Sequence, residues 1–244
     1  MPANLQENLT KRQHYHMRAI LKNFADGEML DITRKDGTTD RLSYEDKAFY
    51  GYVAWSDETE TRYGALIERR FFGQSNHVLN THGVSAHDLI SEYHLFWRLR
   101  HMYAINPMPV TKIYEGFDFG TLEELKDWCN RNGKIYVNGD GTIDGMFAAT
   151  LKIREELDRY RKDYEGVYWN VGIAENGGLI SADCYENSLM LPLSPNVLLC
   201  GKRKRNKKPW IMTDDEITQA NQMAIDQCHT FCFSKPKSHD AAAS

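Results

Sequence analysis

The pattern of apolar residues changes character near Gly166, and that change constrains the fold more than any other feature of the chain. Before it, apolar positions recur every three or four residues among many charges, which is the spacing of one helix face. After it, β-branched and aromatic runs are broken by glycines, as antiparallel strands require. Residues 12–24 place Met17, Ile20, Leu21 and Phe24 on one stripe and predict a short amphipathic helix. Helical spacing returns at about 60–80 and 85–104, with Gly83 between them as the turn of a helical hairpin and Asn106-Pro107-Met108-Pro109 as the stop.

Thr121-Leu122-Glu123-Glu124 reads as a capping box opening a helix to Asn132, with Gly133 as its end. Residues 145–164 predict another amphipathic helix, and Thr213-Asp214-Asp215-Glu216 a second capping box with a helix to about His229. Two short strands flank Lys35-Asp36-Gly37-Thr38, where Asp-Gly signals a hairpin turn. Residues 167–173, 177–182, 189–200 and 230–233 read as strands. The expected fold class is therefore α+β: a helical N-terminal half packed on a small, mainly antiparallel C-terminal sheet. One globular domain is expected over 1–234, with a flexible tail at 235–244.

Composition excludes several classes. At 41% hydrophobic and 26% charged, the chain is too apolar for intrinsic disorder. No run approaches bilayer length and no basic-then-apolar leader opens the sequence, so no membrane partner and a cytoplasmic location are expected. The net charge of −4 argues against a protein built wholly around nucleic acid, but leaves room for a local basic patch. Five cysteines without a Cys-x-x-Cys pair point to free, mostly buried thiols rather than a zinc site.

Read in order, several short segments resemble the domain-of-unknown-function 4238 family of bacterial and phage proteins. They are His14-Tyr15, Leu21-Lys22-Asn23-Phe24, Phe49-Tyr50, Ile67-Glu68, Asp183, Pro192-Leu193-Ser194-Pro195 and Asn221. Met17 stands where that family has a proline, and Cys184-Tyr185 where it has an asparagine-proline pair. The resemblance implies a fold and a set of positions; the family supplies no established reaction, cofactor or metal to carry over.

Five groups of polar residues invite a chemical reading. On the helical reading His14 lies beside the apolar stripe, as a general base or metal ligand, or as a border histidine bonding a backbone carbonyl. His16, two residues on, points elsewhere on a helix and cannot share an ion with it. Glu68 falls inside an apolar arc, where a carboxylate must bind a metal, act as acid or base, or pair with Arg98 or Arg100. His87, His94 and His101 recur every seven residues on one face, too far apart for one metal, and read as a solvated or basic face. Asp183 either caps a turn or joins His14 and Glu68 in a catalytic constellation.

The run Lys202, Arg203, Lys204, Arg205, Asn206, Lys207, Lys208 concentrates six cations in seven residues and precedes Trp210. Such a loop can neutralise phosphates while the indole stacks on a base, or can simply be a solvated loop. Two functions follow as expectations. One is a non-catalytic interaction or regulatory protein that binds protein or nucleic acid. The other is a metal-dependent phosphodiesterase or nuclease using His14, Glu68 and Asp183.

Overall fold

The computed structural model describes residues 13–14, 16–51, 54–56, 59–115, 123–132 and 134–237. In chain order these form β1 (Gln13–His14), α1 (Arg18–Phe24), β2 (Met29–Arg34), β3 (Thr39–Ser43) and β4 (Tyr50–Gly51). A π-helical turn at Thr59–Gly64 leads into α2 (Ala65–Thr81), followed by α3 (His87–Ile105), β5 (Thr111–Lys112), α4 (Glu123–Arg131), β6 (Thr142–Ile143) and α5 (Gly145–Asp163). Then come β7 (Tyr168–Ile173), β8 (Ser181–Ala182), β9 (Met190–Ser194), β10 (Val197–Lys202), β11 (Trp210–Ile211), α6 (Asp214–Gln227) and β12 (Phe231–Ser234).

The division into a helical half and a sheet half does not occur: helices and strands are interleaved. Strands β2 and β3, from the first fifth of the chain, join β12 and β8 in a four-stranded sheet of order β3-β2-β12-β8. A second four-stranded sheet has the order β11-β7-β10-β9, and β1–β4 and β5–β6 form small pairs. Local periodicity reads strand or helix correctly in many segments, but it carries no information about partners some 200 residues away. That is why the layered arrangement expected from the sequence fails.

The elements themselves follow from local chemistry. In the β2–β3 hairpin the Thr38 amide and hydroxyl both donate to Asp36 Oδ1, and Gly37 takes a φ of 85° that other residues avoid. At the start of α6, Thr213 accepts from the Glu216 amide while the Glu216 carboxylate takes the Thr213 amide, a complete capping box. The corresponding box at Thr121 and the stop at Gly133 lie outside the described residues, as do Tyr15 and the segment 238–244 of the expected tail. Helix α1 starts at Arg18, so His14 stands in a strand opposite Tyr50 rather than on a helix.

Helix α3 occupies the middle of the molecule. Eleven of its 19 residues are buried, on every side, including Tyr93, Phe96, Trp97 and Leu99 together with His94, Arg100 and His101. The main core gathers around it, and a smaller cluster of Cys129, Tyr136, Ile143, Phe147 and Ala148 lies apart. All five cysteines are free, and four of them are buried. Among the described residues no helix is long and apolar enough to cross a membrane.

Candidate functional site

A helix buried on every side must find partners for its polar residues, and α3 finds them on each of its neighbours. Arg100 donates to Glu68 on α2 at 2.5 Å and to Glu60 at 3.0 Å, and its guanidinium lies over the Phe96 and Trp55 rings. Burial works to strip its proton, but the two carboxylates outweigh that and hold its pKa above the ordinary arginine value. Glu68 is thus ion-paired with one of the two arginines that the helical wheel offered.

The seven-residue histidine face is covered rather than solvated: His94 and His101 are buried and His87 is half-buried. His94 Nδ1 lies 2.8 Å from the Tyr164 hydroxyl, and its pKa is pushed down to about 3, first by burial and then by Arg98. His101 Nε2 faces Asp183 Oδ2 at 3.4 Å, and His87 Nδ1 accepts the Trp169 amide at 3.0 Å. A seven-residue polar spacing on a helix normally marks the solvent side. Here β7, α5 and the segment around Asp183 cover that side and supply matched partners instead.

His14, Glu68 and Asp183 run to different partners. The His14 ring lies 5.5 Å from that of Tyr50, and Glu68 holds Arg100. Asp183 accepts three consecutive amides, those of His229, Thr230 and Phe231, and its carbonyl takes the Trp97 indole proton. Burial acts to raise the Asp183 pKa, yet His101 and the amides keep it below the usual carboxylate value. Asp183 therefore welds the turn after α6 to α3. Among the described residues no three His, Cys, Asp or Glu side chains are gathered to hold a metal ion.

The histidine that sequence reasoning passed over, His16, is more deeply placed. Its Nδ1 lies 2.8 Å from the Tyr93 hydroxyl, and its ring stacks on Trp97 at 4.3 Å. Because the same hydroxyl oxygen accepts the Met17 amide, the phenol proton goes to His16 Nδ1, leaving a neutral imidazole. Its pKa falls to about 3 through burial, aided by Arg100 and His101. Met17 has a proline-like φ of −60°, but its amide is used here and a proline would lose that bond.

Two distant segments singled out in the sequence do meet: the Asn23 side chain donates to the Leu193 carbonyl at 2.9 Å. Asn221 bridges a neighbouring loop, accepting the Ile180 amide and donating to the Gly178 carbonyl.

The basic run forms the crossover from β10 to β11, passing round the first residues of β7. Lys202, Arg203, Lys204, Arg205, Lys207 and Lys208 are all exposed, but the backbone beneath them is pinned. Asn170, buried in β7, donates to the Lys204 carbonyl at 3.1 Å and accepts the Asn206 amide at 2.6 Å. Arg203 reaches the Glu165 carbonyl. A single asparagine inside an otherwise β-branched and aromatic strand, 167–173, is the sequence signal that could have found this clamp. Trp210 is half-buried: a Cβ on Gly172 would come within 2.7 Å of its ring, and Lys202 Nζ sits 5.3 Å above it. A base could stack there only after displacing Lys202.

Below the loop lies a cavity of about 290 Å³ between residues 81–84 of the α2–α3 turn, His87, β7 and residues 205–209. His82 lines it in a left-handed conformation, φ 54°, alone among the described non-glycine residues. Since His87 accepts at Nδ1, its proton is on Nε2, and that covered N–H has no hydrogen-bond acceptor among the described residues. Burial, reinforced by Arg205 and opposed by Asp88, lowers the His87 pKa.

Comparison with known protein families, curated proteins and solved structures returned no match.

Proposed function

We propose that this protein is an interaction or regulatory protein that binds nucleic acid through its phosphate backbone, with the 202–208 loop as the contact surface. The observation that carries this reading is the Asn170 clamp: six exposed cations ride on a backbone held by a buried side chain. An ordinary solvated loop has no need of such a clamp. A preorganised loop loses less freedom when it meets a ligand, and the entropy saved appears as affinity. The acidic balance of the whole chain makes the basic patch local, which favours one oriented contact over general stickiness. The five free thiols fit a cytoplasmic setting.

The resemblance to the domain-of-unknown-function 4238 family belongs to the same reading. Its landmark segments at 21–24 and 192–195 are tied by the Asn23–Leu193 bond, which supports treating them as one structural unit.

The test is fluorescence anisotropy with labelled single-stranded and duplex oligonucleotides across a salt series. Each neutralised phosphate adds a slope of about −0.7 to −0.9 to log K against log salt. With about four contacts, affinity falls roughly 100-fold between about 50 and 200 mM salt. Combining Lys204→Glu, Lys207→Glu and Lys208→Glu, all on the surface, removes most of the binding and flattens the slope. Absence of binding, or binding indifferent to salt and to these changes, overturns the proposal.

A further inference from the structure

We infer that the cavity beneath the loop is a seat for a phosphomonoester, the terminal phosphate of a nucleic-acid strand. This rests on the reading that the loop meets phosphate, and adds where a strand would end.

Four observations converge on the cavity. First, its volume of about 290 Å³ is near the lower limit of ligand pockets, roughly 300 Å³, so it suits one nucleotide end and is far too small for a duplex. Second, its lining carries Arg205, Lys207, Lys208, His82 and His87, and no carboxylate among the described residues. A terminal phosphate, with close to two negative charges and three free oxygens, gains more from such a lining than an internal diester with one. Third, His87 lines the cavity, and its Nε2–H is a covered donor without an acceptor among the described residues. Such a donor costs about 1–3 kcal/mol while unpaired, and a phosphate whose binding uncovers it would relieve that. Fourth, His82 holds the left-handed position after α2 that glycine or asparagine ordinarily takes. His82 closes α2 through its amide, bonded to the Val78 carbonyl, and so stands on the wall of the cationic cavity where glycine would leave no side chain.

The two sources of such a group, a strand end and a free nucleotide, are separable. Anisotropy would be measured for one single strand carrying a 5′-phosphate, a 3′-phosphate or only hydroxyl ends, with a nucleoside monophosphate as competitor. A phosphorylated end is expected to bind about 10-fold more tightly than hydroxyl ends, equivalent to about 1.4 kcal/mol. His87→Phe is expected to erase that preference while salt-dependent binding of the hydroxyl-ended strand persists. His82→Gly gives the turn its favoured residue and so cannot fail by misfolding; it is expected to reduce the preference several-fold.

Equal binding of all three strands overturns the seat and leaves the backbone reading standing. A monophosphate that binds and loses affinity in both variants, with no strand bound, upholds the seat for a free nucleotide and overturns the backbone reading. Binding of neither sinks both. An end preference unchanged in both variants places the phosphate elsewhere and overturns the assignment to this cavity.

Discussion

Arg100 shows how much one residue can organise. It is fully buried, held by Glu60 and Glu68, and sandwiched near Phe96 and Trp55, whose indole N–H also donates to Glu60. Truncating one member of a buried ion pair leaves the others charged and unpaired, so Arg100→Ala is expected to cost about 3–5 kcal/mol. Arg100→Met combined with Glu60→Gln and Glu68→Gln removes the stranded charges and is expected to recover much of that loss. Urea denaturation of the two variants decides the matter; equal stability would show that the carboxylates are not stranded. The helical wheel placed Glu68 in an apolar arc and offered Arg100 as a partner, because both lie on regular helices whose spacing is readable. His16, His87, His94 and His101 were not readable, since each is bonded at one ring nitrogen by a residue at least 70 positions away.

At the scale of elements, close approaches of backbone are written as glycines. A Cβ on Gly145, at the start of α5, would stand 1.7 Å from the Met108 carbonyl oxygen. Gly145→Ala must therefore push the 108–109 segment away, an overpacking worth at least about 1–3 kcal/mol. Gly73, in mid-α2, meets nothing within 4 Å, and Gly73→Ala is expected to stabilise the protein by about 0.5–1 kcal/mol through helix propensity alone. Thermal melts that rank the two variants the other way would refute this account. Most helices and the 29–43 hairpin were legible because their signals are local: capping residues, stops, an Asp-Gly turn. The start of α1 was misplaced because the apolar stripe begins at Met17 and says nothing about the five residues before it. The two-residue strands β4, β5 and β6 carry no periodicity to read.

For the whole molecule, buried neutral histidines set the response to acid. His16 and His94 stay uncharged in the folded protein down to about pH 3, whereas in the unfolded chain they take protons near pH 6.5. Below about pH 6.5 the unfolded state binds more protons than the folded one, so their contribution is fully present above that pH and is lost as pH falls towards 3. Each group in that window contributes a slope of about 1.4 kcal/mol per pH unit. Chemical denaturation between about pH 7.5 and 5 should show stability falling on the acid side, and His94→Gln should shallow the slope. A flat profile would contradict the burial of these rings.

The order of the β3-β2-β12-β8 sheet has one more consequence, for synthesis. Strand β12 follows every other strand in the chain yet lies between β2 and β8. As the polypeptide leaves the ribosome, the hairpin β2–β3 must wait with one edge unsatisfied until nearly 200 further residues have been made. Such a wait delays folding and exposes the nascent chain to edge-to-edge association. In the finished fold the Asp183 carboxylate grips the amides of His229, Thr230 and Phe231 at the entry to β12, which fixes where that late strand docks.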